Sequence, residues 1–264
     1  MSSYALALRD STTMLRRNIR RSLRYPMLLA SAICVPVFFL LLFVGVLGNT
    51  LRAGLGAAAP GSGAYVDYLT PAIILMAAAG TAEATAVNVC SDMAEGIISR
   101  FRTMSISRMS VLTGQVVGSV LQAFASVVVC IAVAFALGFR SSAGPVEWLA
   151  AAGMFLLLAF ALTWLGVAFG LFAKTPAGAN SMSLILLVLP FVSSAFVPTA
   201  TMPAGVRWFA ENQPFTAVIN TLRGLLTGSP IGNSGMLAVA WCLVIAAGGY
   251  VWARSRYNLN PPRA

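Results

Sequence analysis

The sequence predicts an all-α membrane protein built on six transmembrane helices, and three observations predict it. Hydrophobic residues fill 59% of the 264 positions and charged residues only 9%, against about 25% charged in an ordinary soluble domain. The apolar residues gather into six long runs, and a hydrocarbon core of about 30 Å takes about 20 such residues per helix. The basic residues fall at the ends of those runs, where membrane topology is set. Mean hydropathy is +0.85.

The runs are Met27–Gly48, Leu69–Cys90, Val111–Gly138, Trp148–Phe172, Met182–Val197 and Met236–Trp252. The fifth is the shortest and contains Pro190, which has no N–H to give a helix and predicts a kink or an early stop. Thirteen of the seventeen basic residues lie before the first run, in the second and fourth connections, or after the last run; Arg52, Arg140, Arg207 and Arg223 occupy the other three connections. Short cytoplasmic connections collect Arg and Lys, so this asymmetry puts both termini in the cytoplasm. The expected organisation is an amphipathic N-terminal segment at 1–26, a six-span membrane domain at 27–253 and a short cytoplasmic tail at 254–264. Six spans make a small bundle, so pairing with a second copy or a second permease is expected.

The first 26 residues do not read as a cleavable signal, because the apolar run that follows is too long for a signal core. Within them Leu8, Leu15, Ile19 and Leu23 fall near helical spacing, with Arg16, Arg17, Arg20, Arg21 and Arg24 around them. Such a helix lies on the inner leaflet, held by apolar contact and by about 1 kcal/mol per arginine near anionic lipid. Pro26 is expected to end it.

Histidine is absent and lysine occurs once, at Lys174, which removes histidine acid–base and metal chemistry and nearly all Schiff-base chemistry. The four cysteines, Cys34, Cys90, Cys130 and Cys242, have no Cys-x-x-Cys spacing and read as reduced, packed thiols rather than a metal site. Net charge is +10, yet the arginines form no contiguous basic face, so nucleic acid is not an expected partner. No clustered catalytic residues are visible, and an enzyme is not expected.

Two features stand out against this background. Ser91–Arg108, "SDMAEGIISRFRTMSISR", concentrates charge between the second and third runs. On a helix, Met93, Ile97, Phe101 and Met104 form an apolar stripe, opposite Asp92, Glu95, Ser99 and Arg102, with the acids in the first turn and arginines in the last as the helix dipole favours. Glu83 is the lone acid deep within a run, where a charge costs about 2.5–3.5 kcal/mol. It and Asn88, just over one turn further on, are candidates for a cargo pathway; the other reading of Glu83 is a neutral acid bonded to Thr81, Thr85 or a neighbouring span. A third segment, Met202–Gly228, reads as two short helical pieces broken at Pro214, with Phe215, Val218, Ile219, Leu222 and Leu225 as the stripe of the second.

Acid-x-x-Glu-Gly followed by Arg-Phe-Arg and Ile-Ser-Arg, between the second and third of six spans and behind a basic amphipathic N-terminus, resembles the permease subunits of type 2 ATP-binding cassette exporters. Among these it is most similar to the daunorubicin-resistance permeases. The stretch "PFVSSAFVPTATMPAGVRWFAENQPFTAVINTLRGLLTG", Pro190–Gly228, resembles their fifth span and external segment. The resemblance implies short external helices between spans 5 and 6. It also implies a cytoplasmic coupling helix between spans 2 and 3, Asp92–Met104, seated in a cleft of a separate ATP-binding subunit, with Glu95 and Gly96 matching the family's Glu-Gly pair and Arg100, Phe101, Arg102 and Met104 at the contact. No cofactor is expected on this chain itself: "GLFAKTPAG" around Lys174 lacks the glycine that a phosphate-cradling loop needs before its lysine. ATP and Mg would be bound by the partner. The function implied is a bacterial plasma-membrane exporter of a hydrophobic or amphipathic cargo, such as a lipid, glycolipid, polyketide or drug. The competing reading is a proton-coupled secondary transporter using Glu83.

Overall fold

The computed structural model describes residues 26–46, 64–95, 108–197 and 199–259. Every regular element among them is helical. The helices are α1 (Pro26–Leu41, continuing as a π-turn over Leu42–Val46), α2 (Ala64–Ala94), α3 (Arg108–Ala136), α4 (Pro145–Phe172), α5 (Pro176–Val188), α6 (Ala204–Asn212), α7 (Pro214–Thr227) and α8 (Ser234–Leu259). Four of them, α2, α3, α4 and α8, are long and apolar enough to cross a membrane, while α1 and α5 contribute shorter apolar helices.

Local sequence explains where several helices start and stop. Pro26, Pro145, Pro176 and Pro214 each stand at the first position of a helix, where the missing N–H costs nothing and the fixed φ is already helical. Pro26 therefore opens α1, while the segment it was expected to end lies outside the described residues. The Thr175 hydroxyl accepts from Gly178 N at 3.1 Å and caps α5. Gly144 N donates to the Glu147 carboxylate, which caps the start of α4 from one side. At Leu189 α5 gives way to a 3₁₀ turn, Leu189–Val192, because Pro190 cannot continue the α-helical ladder. The fifth helix thus begins six residues before the run predicted from hydropathy and loses its α-helical form before Pro190. Gly228 ends α7 in the left-handed region at φ 72°, its N–H returning to Gly224 O at 3.0 Å.

α2 is the axis of the bundle and touches α1, α3, α4, α5 and α7. In its most apolar window 72% of residues are buried, against 28% in α8, which lies on the outside. The α2–α4 seam is built from small residues: a Cβ on Gly166 would meet the Ala82 carbonyl, and one on Gly170 would meet Ala86 O and Val89 Cβ. Gly166 and Gly170 are four apart, as are Ala82 and Ala86, so two helical backbones approach closely along facing stripes. In hydrocarbon, where apolar side chains gain nothing by leaving lipid, such close packing is what holds helices together. On its other side α4 meets α8 through edge-on aromatic pairs, Trp164 with Tyr250 at 5.0 Å and Phe169 with Trp252 at 5.7 Å. α1 joins through Phe39 and Phe43, which pack on Phe191 and Phe196 just beyond α5.

Candidate functional site

The bundle has two unlike ends, and α2 runs from one to the other. At the first end, α2 begins, α3 ends, α4 begins and α7 lies across them. Arg140 N donates to Asp67 Oδ1 at 2.8 Å, and Ser141 Oγ and Ser142 N donate to Leu226 O at 2.8 and 3.2 Å. α7 buries Phe215, Val218, Ile219, Leu222 and Leu226, so four of the five residues predicted as its stripe face the core and Leu225 packs against that core partly covered.

A buried polar knot secures α7 at this end. The Arg223 guanidinium lies over the Tyr68 ring, 3.8 Å from its centroid. Its Nη2 donates to Ser194 O at 2.9 Å and to Tyr68 O at 3.3 Å, and its Nη1 to Asn220 Oδ1 at 3.3 Å. Tyr68 OH donates to the same Ser194 carbonyl at 2.9 Å, and Ser194 Oγ to Asn220 Oδ1 at 2.9 Å. Gln213 Nε2 reaches Val192 O at 2.8 Å. Three segments far apart in sequence, α2, the break after α5, and α7, meet on one cation. Among the described residues no carboxylate is recorded against Arg223; carbonyl dipoles and an aromatic face carry its charge instead. A guanidinium stays protonated at any working pH, so this is a permanent tie, and Arg223 Nε is buried with no hydrogen-bond partner among the described residues. Residue spacing gives no sign of this knot: Arg223 stands in the segment that resembles the exporter family, but its partners lie 29 and 155 residues away.

The middle of α2 presents a different surface. Gly80, Glu83, Ala84, Val87, Asn88 and Ser91 are partly exposed while the intervening residues are buried. Their spacing puts them on one helical face that the described residues of this chain leave uncovered. Both pathway candidates, Glu83 and Asn88, stand on it. Thr81 and Thr85 turn their hydroxyls back along the helix, onto Ala77 O and Thr81 O at 2.8 Å each, and Thr85 also bonds Ser119 Oγ at 2.8 Å. No hydrogen bond from either to Glu83 is recorded among the described residues.

At the second end, α2 continues past its apolar run to Ala94, so Asp92 and Met93 belong to the last turn of the long helix. Glu95 follows in a turn, its N–H on Ser91 O at 2.9 Å. Met93 packs against the chain's own cluster of Val89, Leu112, Val116, Trp164 and Leu171, whereas Glu95 is exposed. The start of the predicted apolar stripe therefore rests on the bundle and Glu95 turns outward. Gly96, Arg100, Phe101, Arg102 and Met104, and the surface arginines Arg16, Arg17, Arg20, Arg21 and Arg24, lie outside the described residues. Arg256 of α8 stacks on Phe172 of α4 at 4.6 Å and ties the last helix to this end. No group of three or more His, Cys, Asp or Glu able to hold a metal occurs among the described residues.

Known proteins resemble the chain over almost its whole length. It is 26% identical over 245 residues to the daunorubicin resistance ABC transporter permease protein DrrB1 of Streptomyces coeruleorubidus, covering 92% of this chain and 83% of that protein. It is 23% identical over 251 residues to the probable doxorubicin resistance ABC transporter permease protein DrrC of Mycobacterium tuberculosis, covering 93% and 89%. The sequence pattern of the ABC-2 type transporters matches residues 10–227. A chain of long apolar helices that matches this pattern over so much of its length is a multi-pass membrane protein and belongs to the ABC-2 type transporter family.

Proposed function

We propose that this chain is the transmembrane subunit of an ATP-driven exporter that moves a hydrophobic or amphipathic cargo out of the bacterial plasma membrane. It spans six times with both termini in the cytoplasm, and it works as a pair with a second copy or a related permease. Two ATP-binding subunits dock at the end where α2 terminates, on the segment Asp92–Met104, with Glu95, Gly96, Arg100, Phe101 and Arg102 at the contact. The α6–α7 end faces outward, as the distribution of basic residues expects. Arg16, Arg17, Arg20, Arg21 and Arg24 hold the N-terminus on anionic lipid.

The observation that carries this reading is the uncovered face of α2. A charged carboxylate open to lipid would cost about 2.5–3.5 kcal/mol, so the face with Glu83 and Asn88 is suited to a second copy, a cargo route or both against it. The same helix ends beside the exposed Glu95, which gives one rigid rod connecting a docking tip to a cargo-facing surface. The relatives named for daunorubicin and doxorubicin resistance support a drug-sized amphipathic cargo; a lipid or polyketide fits the same chemistry.

Co-expression with a candidate ATP-binding subunit tests the proposal. A complex whose ATPase activity in lipid depends on this chain is expected, with assembly lost in Glu95→Arg and transport impaired in Phe101→Ala. Intact assembly and transport in both variants would overturn the docking assignment. Transport driven by a proton gradient without an ATPase, abolished in Glu83→Gln, would establish the secondary transporter instead.

A further inference from the structure

A cavity of about 140 Å³ lies between α3 and α4, at the end crossed by α7. Phe124 and Val128 of α3 form one wall, Trp148 and Ala152 of α4 the other, and Leu222 and Leu226 of α7 the back. Every residue around it is apolar or aromatic. We infer that this slot is a binding site for one acyl chain of a membrane lipid, held between α3 and α4 against α7.

Three considerations select that occupant. Water needs two to four polar partners, and an apolar cavity stays dry; an empty one forfeits the dispersion contacts of its walls. The slot also opens toward the surroundings of α3, because Phe124 is 39% and Val128 51% exposed. They continue the exposed stripe of Leu121, Phe124, Val128 and Phe135 on a helix apolar enough to cross a membrane, so the medium at the mouth is hydrocarbon. Finally, size and depth match a lipid tail. A cavity of about 150 Å³ takes a benzene ring, so this one accommodates a few methylene groups and not a whole drug-sized molecule. Its α3 wall, Phe124 to Ile131, lies roughly 7–18 Å from the helix end at Ala136, at about 1.5 Å per residue. One leaflet of the hydrocarbon core is about 15 Å deep. The slot therefore sits at the level of the middle and end of the acyl chains of a single leaflet. Leu222 and Leu226 flank Arg223 on α7, so a chain seated there packs against the helix that the polar knot holds.

The test uses the full chain in lipid nanodiscs containing a phospholipid with a photoactivatable diazirine midway along one acyl chain. After irradiation, adducts are mapped by mass spectrometry. Adducts are expected to concentrate on Phe124–Ile131 and Trp148–Phe155, and to fall at least fivefold in Ala152→Phe, which fills the slot, while labelling of exposed Leu243 and Val244 on α8 stays constant. Ala152→Leu should give a smaller, graded loss and replaces the Phe variant should that one fail to fold. Labelling that follows exposure alone along α3 and α8, or that persists unchanged in the filled variants, would overturn the site. So would absence of label at Phe124 and Val128 together with disulfide cross-linking between copies through Val128→Cys, which would assign that face to a second copy.

Discussion

The two ends of the bundle solve opposite problems. Among the described residues at the α7 end, Asp67, Glu147 and Glu211 stand against Arg140, Arg207 and Arg223, and they are engaged within the chain: Asp67 with Arg140 N, Glu147 in a helix cap, Glu211 with Arg207, and Arg223 in the knot. At the other end Lys174, Arg254 and Glu95 are exposed. A surface that spends its polar groups internally is made to hold shape, and one that leaves them outward is available to a partner. On the proposed function, a single chain stiffens one mouth of a membrane bundle and keeps the other for docking.

Substitutions can break or sharpen this contrast. The largest effect is expected in the seam both ends share: Gly170→Leu would drive a side chain into Ala86 O and Val89, and overpacking costs about 1–3 kcal/mol even without a backbone clash. We expect loss of monodisperse protein on size-exclusion chromatography in detergent. Next is Arg223→Ala, which takes the charged donor from the Tyr68 and Ser194 carbonyls, leaving Ser194 O with Tyr68 OH alone, at a cost of about 1–3 kcal/mol; thermal unfolding should shift downward, and amide exchange should rise first in α7 and around Ser194. Arg223→Lys should recover only part of this, because an ammonium lacks the planar fork that serves three acceptors at once. Arg256→Gln should cost less, about 0.5–1 kcal/mol from its aromatic contact, and be seen as faster exchange at the end of α8. By contrast, Glu95→Arg should leave the melting temperature unchanged within the roughly 0.5 kcal/mol typical of surface sites, although it is predicted to abolish association with the ATP-binding subunit. Should Glu95→Arg unfold the protein, the contrast between a structural end and a docking end would fail.

Much of the helical layout was legible because hydrocarbon imposes a length rule. The runs at Leu69–Cys90, Val111–Gly138, Trp148–Phe172 and Met236–Trp252 coincide with α2, α3, α4 and α8 to within a few residues at most boundaries, and Pro214 divides α6 from α7 where the pattern breaks. Boundaries moved outward where a helix continues beyond its apolar stretch, as α2 does to Ala94 and α8 to Leu259, since a helix needs only its backbone bonds to persist. The starting point of α5 was missed because Thr175 and Pro176 are polar or neutral in hydropathy yet form a strong helix start. Of the candidate site, Glu83 and Asn88 were visible as polar residues in an apolar run, and the structure puts them on one uncovered face.

Composition and run length were enough for the long apolar helices and their order, because those depend on interactions within a few residues or with the surrounding lipid. The Arg223 knot, the Gly166–Ala82 approach and the slot between α3 and α4 came only from the tertiary structure. Each joins groups separated by tens to more than a hundred residues, and no local spacing encodes which distant carbonyl, helix backbone or void a side chain will meet.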